Sequence, residues 1–191
     1  SGFSGTINTE SPTTELDLMI TDSNCSVNAG KVNNLVIKNS TITNPTIIAN
    51  VATIENSSLY ASDLSTLRLR VKDLYVDSSR LNKIYITCVD NNGVYAYTVK
   101  NCSFYNDAAI YEEYESSNVL DTVIREAIII NNTNFKLIDT ASRVTKLGAS
   151  FRWYNNGGEN SGKIQANYIG VYSSSNGSIP WVGDESTQCA Q

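Results

Sequence analysis

Six stretches of the chain share one order of apolar and polar positions: apolar, any, apolar, any, polar, small polar, any, apolar. They run from Leu18 to Cys25, Leu35 to Ile42, Ala52 to Leu59, Leu74 to Leu81, Tyr97 to Phe104 and Ile128 to Phe135. Taking the second apolar residue as a marker, Ile20, Ile37, Ile54, Val76, Val99 and Ile130 are 17, 17, 22, 23 and 31 residues apart. Two apolar residues two positions apart lie on one face of a strand. The polar pair then turns the chain, and the last apolar residue points inward again. A spacing of ~17–23 residues is too short for a strand plus a crossover helix, but fits one coil of two or three short strands.

Stacked in register, such coils make parallel sheets whose inward residues pile into continuous apolar ladders. Each coil advances about 4.8 Å, the distance between paired strands. The recurrent turn residue (Asp22, Asn39, Asn56, Ser78, Asn101, Asn132) is expected to form an internal polar ladder whose side chains bond to the coils on either side. An antiparallel sandwich does not explain why the order recurs six times in the same sense, and no stretch carries the 3.5 or 3.6 period of a coiled coil or bundle.

The pattern weakens outside these stretches. Residues 1–15 read as a cloning remnant at Ser1-Gly2 and a lead-in, so the chain is expected to be a fragment of a longer protein. Residues 16–145 read as the solenoid, with insertions at 83–97 and 105–127. The first holds a hairpin-like turn at Val89-Asp90-Asn91-Asn92-Gly93-Val94; the second holds Val119–Glu126, a short helix or a strand. Residues 146–191 read as an antiparallel hairpin or cap covering the last coil.

Composition narrows the chemistry. Asn, Ser and Thr make up 63 of 191 residues, and charged residues 17%. Such a chain suits a long solvated β surface. The net charge of −5 argues against nucleic acid, and no run of ~20 apolar residues suggests membrane insertion. There is no histidine, which removes imidazole bases, Ser-His-Asp triads and imidazole metal ligands. Cys25, Cys88, Cys102 and Cys189 lack metal-type spacing, so no metal or cofactor is expected. Cys25 falls at an apolar slot, and Cys102 and Thr133 fall where other coils carry serine, which favours free buried thiols over disulfides.

Two constellations carry candidate chemistry. Glu55 and Asp77 follow the marker in successive coils, so they project outward one strand spacing apart, with Lys38 and Lys100 continuing the column. Two carboxyls about 5–10 Å apart are what glycosidic cleavage requires, so this is the candidate catalytic pair. The other reading is a solvated ladder of charges. Tyr111, Glu112, Glu113 and Tyr114, with Trp153 and Tyr154, are candidate glycan-binding residues: aromatic faces stack on sugar rings and carboxylates accept bonds from sugar hydroxyls.

The coil typified by Ile54-Glu55-Asn56-Ser57-Ser58-Leu59 resembles the right-handed parallel β-helix of pectin-lyase-like proteins, an all-β fold. With its Asn/Ser/Thr-rich, Tyr-rich, His-free composition, the chain looks like the distal part of a bacteriophage tailspike or tail fibre. That resemblance implies a homotrimer in the virion tail that recognises bacterial surface polysaccharide. Some relatives also hydrolyse or eliminate the polymer, and others act as trimeric shafts or adhesin segments. The short, few coils without a clear catalytic constellation favour binding over depolymerase activity.

Overall fold

The computed structural model describes residues 4–8, 16–60, 67–82, 84–88, 94–105, 109–114, 122–134, 136–139, 144–147, 150–154, 156, 163–166, 169–170 and 187–188. These form strands and turns, with no helix among the described residues. The first third contains β1 (Ser4–Asn8), β2 (Leu16–Thr21), β3 (Asn24–Lys38), β4 (Thr41–Glu55) and β5 (Ser58–Tyr60). The middle contains β6 (Leu67–Asp77), β7 (Arg80–Leu81), β8 (Ile84–Cys88), β9 (Val94–Lys100) and β10 (Ser103–Phe104). Then follow β11 (Ala109–Tyr114), β12 (Thr122–Ile130), β13 (Lys136–Asp139), β14 (Val144–Leu147), β15 (Arg152–Tyr154), β16 (Lys163–Ala166), β17 (Ile169–Gly170) and β18 (Thr187–Gln188).

The strands stack as a parallel β-solenoid. β3 pairs in parallel with β1, β2 and β4, β4 with β5 and β6, and β6 with β8 and β9. The marker residues align as the repeat predicted for five coils: Ile20 opposes Ile37, then come Ile54, Val76 and Val99. All five are at most 3% exposed. Cys25, Ile42, Leu59, Leu81 and Phe104 are also buried, and Ile42 is level with both Cys25 and Leu59. In another ladder Leu35, Ala52, Leu74, Tyr97 and Ala127 are level and buried, and the two alanines leave room for the larger side chains of neighbouring coils. Each fully buried Ile or Leu contributes about 1.5–3 kcal/mol of transfer free energy.

The corner between marker strand and next strand is built identically in each coil. Asp22, Asn39, Asn56, Ser78, Asn101 and Asn131 have φ between 47° and 56°. Asn and Asp tolerate this left-handed region better than other non-glycine residues, because their short polar side chains bond locally. The following residue turns inward: Ser40, Ser57, Ser79, Cys102 and Asn132 are buried. Each backbone N–H there donates to the side chain one coil further on. Ser40 N–H donates to Ser57 Oγ and Ser57 N–H to Ser79 Oγ, both at 3.1 Å. Cys102 N–H donates to Asn132 Oδ1 at 3.0 Å, and Asn132 N–H to Asn156 Oδ1 at 3.1 Å. Each hydroxyl donates in turn to the carbonyl two residues back, as Ser57 Oγ does to Glu55 O at 2.7 Å. The Cys102 thiol does the same to Lys100 O at 3.1 Å.

Two sequence expectations are corrected here. The internal polar ladder consists of the second polar residue of the pair; the left-handed residues are exposed. In the sixth repeat the marker is Ile129, in register with Val99, so Asn131 takes the left-handed corner and Asn132, not Thr133, takes the serine slot. Cys25 and Cys102 are free and buried, as their slots implied; the Cys88 side chain and Cys189 lie outside the described residues.

The described strands within the expected insertions also stack on the solenoid. Ile84–Cys88 stacks in parallel on β6, and Val94–Lys100 stacks on β6 and β12. The strands on either side of residues 89–93 therefore stack on neighbouring coils rather than on each other. From the second insertion, β11 pairs with β8 and β13, while Thr122–Ile130 is a strand paired with β9. Parallel stacking continues through β15, β16 and β17. The antiparallel element is the pairing of β16 with β18, at Lys163–Gln188 and Ile164–Thr187, so the described strands from residue 152 to 170 extend the solenoid. The last coils need the same backbone partners as the first, and strands following the parallel path supply them.

The corner ladder yields a stability prediction. Ser57→Ala removes both the acceptor for Ser40 N–H and the donor to Glu55 O, and is expected to cost about 1–3 kcal/mol. Cys102→Ser keeps both roles and is expected to stay within about 1 kcal/mol of the parent. Thermal and denaturant unfolding of the two variants checks both values.

Candidate functional site

The same corner generates an open concavity. Successive left-handed residues, the serine column behind them and the first outward residues of the next strand line an open groove of about 660 Å³. It runs along the stack from Asn39–Thr41 to Asn131–Thr133. The walls are mainly amides and hydroxyls, with Arg80 and Cys102 among them, and they recur because every coil turns at the same point with similar residue types. Exposed amides bond along the column: Asn39 Nδ2 donates to Asp22 Oδ1 at 3.2 Å, and Asn131 Nδ2 to Asn101 Oδ1 at 3.2 Å.

One rim is aromatic. Tyr60 ends β5, and Tyr105 follows β10 two coils later. Their ring centroids are 5.3 Å apart at an interplanar angle of 71°, an edge-to-face pair. The Tyr105 hydroxyl shares a hydrogen bond with the Ser58 hydroxyl at 2.8 Å, and the Arg80 guanidinium lies 3.9 Å from the Tyr105 ring centroid. Tyr60 is 42% exposed. None of these three was singled out from the sequence. Their signal was present: Ser58-Leu59-Tyr60, Arg80-Leu81-Asn82 and Ser103-Phe104-Tyr105 occupy equivalent positions after the corner.

Along the other rim runs the charge column. Glu55 opposes Lys38 on one side and Asp77 on the other, and Asp77 opposes Lys100. The structure thus brings Glu55 and Asp77 into adjacent coils, as the repeat predicted, and pairs each with a lysine. Lys38 Nζ lies 2.8 Å from Glu55 Oε2, and Lys100 Nζ lies 3.2 Å from Asp77 Oδ2. Burial raises the Asp77 value, but hydrogen bonds from Asn101, Ser78, Lys100 and Tyr75 outweigh it and hold the carboxyl at about 2 against an ordinary 3.8. Asp77 is therefore ionised near neutral pH and has no proton to donate as a general acid. Lys100 is held above its usual range by Tyr75 and then by Asp77. Burial pushes the Cys102 thiol up to about 11, so it stays protonated and acts as a hydrogen-bond donor rather than a nucleophile.

For the other predicted residues the backbone gives positions. In β11, Tyr111 and Glu113 are level with Tyr85 and Thr87, whereas Glu112 is level with Ile86, which is buried. Trp153 is level with Ile129 of the core column, and Tyr154, level with Ile130, is 59% exposed. Among the described residues no cluster of His, Cys, Asp and Glu is arranged to hold a metal ion.

No protein-family model, curated protein or solved structure matches the chain. The fold and the site therefore rest on the geometry above.

Because Asp77 is depressed when folded, its contribution to stability is complete above the unfolded carboxylate range and disappears as pH falls through about 2. Acid titration is expected to show the parent losing stability relative to Asp77→Asn between about pH 4 and pH 2. Parallel denaturation curves for the two proteins across that window check the sign.

Proposed function

We propose that this chain is a glycan-binding β-solenoid, a receptor-recognition segment of a phage tailspike or tail fibre that engages bacterial surface polysaccharide. The observation that carries this reading is the corner groove: about 660 Å³, open, and lined mainly by amides and hydroxyls repeated along the coils, beside the edge-to-face pair of Tyr60 and Tyr105. A polysaccharide is a linear polymer of repeated hydroxyls with apolar ring faces. It matches a groove that offers repeated donors and acceptors and an aromatic platform. Multiple modest contacts along a rigid, preformed groove bind without an ordering cost in the protein.

The phage-tail assignment draws its support from the solenoid and from the Asn/Ser/Thr-rich, His-free composition. In this reading the protein acts as a homotrimer in the virion tail, with long axes side by side and the grooves available to the host surface. The Lys-paired carboxylates of the neighbouring column favour recognition over cleavage.

Affinity electrophoresis against capsular polysaccharides tests the reading. Tyr60→Ala, at an exposed position, is expected to leave the melting temperature unchanged and to weaken binding about fivefold to tenfold. Unchanged affinity in that variant places the contact elsewhere on the molecule. Shortening of the polymer during incubation replaces binding by depolymerisation.

A further inference from the structure

The groove contains one departure from its neutral lining among the described residues, and that departure has a direction. In the column of Thr41, Ser58 and Ser103, the fourth coil carries Arg80. We propose that the groove selects acidic glycans, with an oxyanion of the bound polymer, a uronate carboxylate or a phosphodiester, pairing with the Arg80 guanidinium. This rests on the glycan-binding reading and specifies the chemistry of its ligand.

Three observations support it. First, Arg80 is held in place without being neutralised. Its guanidinium lies over the Tyr105 ring at 3.9 Å, and that ring is fixed by the hydroxyl contact to Ser58 and the edge of Tyr60. Stacking uses the face of the guanidinium and leaves its in-plane N–H fork for a planar or tetrahedral oxyanion. Among the described residues no carboxylate forms an ion pair with Arg80; the ion pairs beside the groove join Lys38 to Glu55 and Lys100 to Asp77.

Second, those two pairs silence the acidic rim. Glu55 and Asp77 on that rim each already face a lysine, so the rim presents little net field to an approaching anion. Asp22, at the head of the exposed amide column, stands three coils from Ser78, roughly 14 Å at strand spacing and beyond a screening length of about 8 Å.

Third, the rest of the chain makes this cation informative. The chain carries 19 acidic against 14 basic residues. Attraction of an acidic polymer therefore depends on a local contact rather than on the overall field. Arg80 sits between coils whose equivalent residues are hydroxyls suited to the flanking sugars.

The test uses uronate-containing capsular polysaccharides, the same polymers after reduction of each carboxyl to a primary alcohol, and phosphodiester-linked capsular polymers. The parent is expected to bind an acidic polymer about tenfold more tightly than its reduced form. That preference is expected to shrink as salt rises from about 50 to about 300 mM. Arg80→Gln is expected to abolish the preference by weakening binding of the acidic polymer far more than binding of the reduced one, and Arg80→Lys to retain part of the preference. Preference for uronate or for phosphodiester polymers identifies which oxyanion is read. Equal binding of acidic and reduced polymers, or equal weakening of both by Arg80→Gln, overturns the acidic selectivity and leaves the glycan reading standing. Absence of binding to every polymer defeats the glycan reading and this one with it. Unfolding curves for both Arg80 variants confirm that each is folded.

Discussion

A chain that winds repeatedly over itself must give every backbone N–H and C=O a partner in the coil above or below, and corners are where that is hardest. A strand satisfies its neighbours by extension alone, whereas a turn points its amides away from the ladder. Here one left-handed residue reverses direction, and the next residue sends its side chain inward to receive the N–H of the preceding coil. The contact from Ser40 to Ser57 and Ser79, and its counterpart from Cys102 to Asn132 and Asn156, keeps the corners level. An unpaired buried amide costs more than a hydrogen bond gains, so this ladder also fixes which residue faces which across coils. The apolar columns inherit their alignment from it.

The surface follows from the same alignment. Once corners are level, outward residues form columns whether or not they interact favourably. The Lys38, Glu55, Asp77 and Lys100 column ends as two ion pairs because the inner pair of like charges is flanked by opposite ones. The exposed left-handed residues become a line of amides, and the residues after them a line of hydroxyls broken by Arg80. A groove with repeated chemistry is thus a by-product of the rule that holds the backbone together. Its distinctive features, Tyr60, Arg80 and Tyr105, are where the repeat departs from small polar residues.

Much of the fold was legible as alternation. Leu35-Val36-Ile37 and Ala52-Thr53-Ile54 place two apolar residues on one face, and the polar pair after them marks the turn. Legibility failed where the signal became degenerate. Ile128-Ile129-Ile130 offers two phases of equal hydrophobicity, and only pairing of Ile129 with Val99 selects one. Asn-Ser likewise does not reveal which member turns inward, since both are small and polar; burial of Ser40, Ser57 and Ser79 decides it. Ile84–Cys88 looked like an insertion because it belongs to a face of the coil that carries no Asn-Ser signature, although its backbone is fully part of the stack.

By itself the sequence determined the all-β character, the one-directional coiling, the first five inward markers and the outward charge column, because strand periodicity and a repeated turn are local properties. It also placed Glu55 beside Asp77, since both follow a marker by one residue. Only the tertiary structure decided that each carboxylate is taken by a lysine, that Tyr105 lies across two coils to Ser58 and Tyr60, and that Arg80 rests on its ring. Those contacts join residues tens of positions apart, and their existence depends on coil lengths that vary from 17 residues upward. A one-residue change in phase moves a side chain to the opposite face of its strand, so which groups meet in the groove is settled by the stacked register and not by any local pattern.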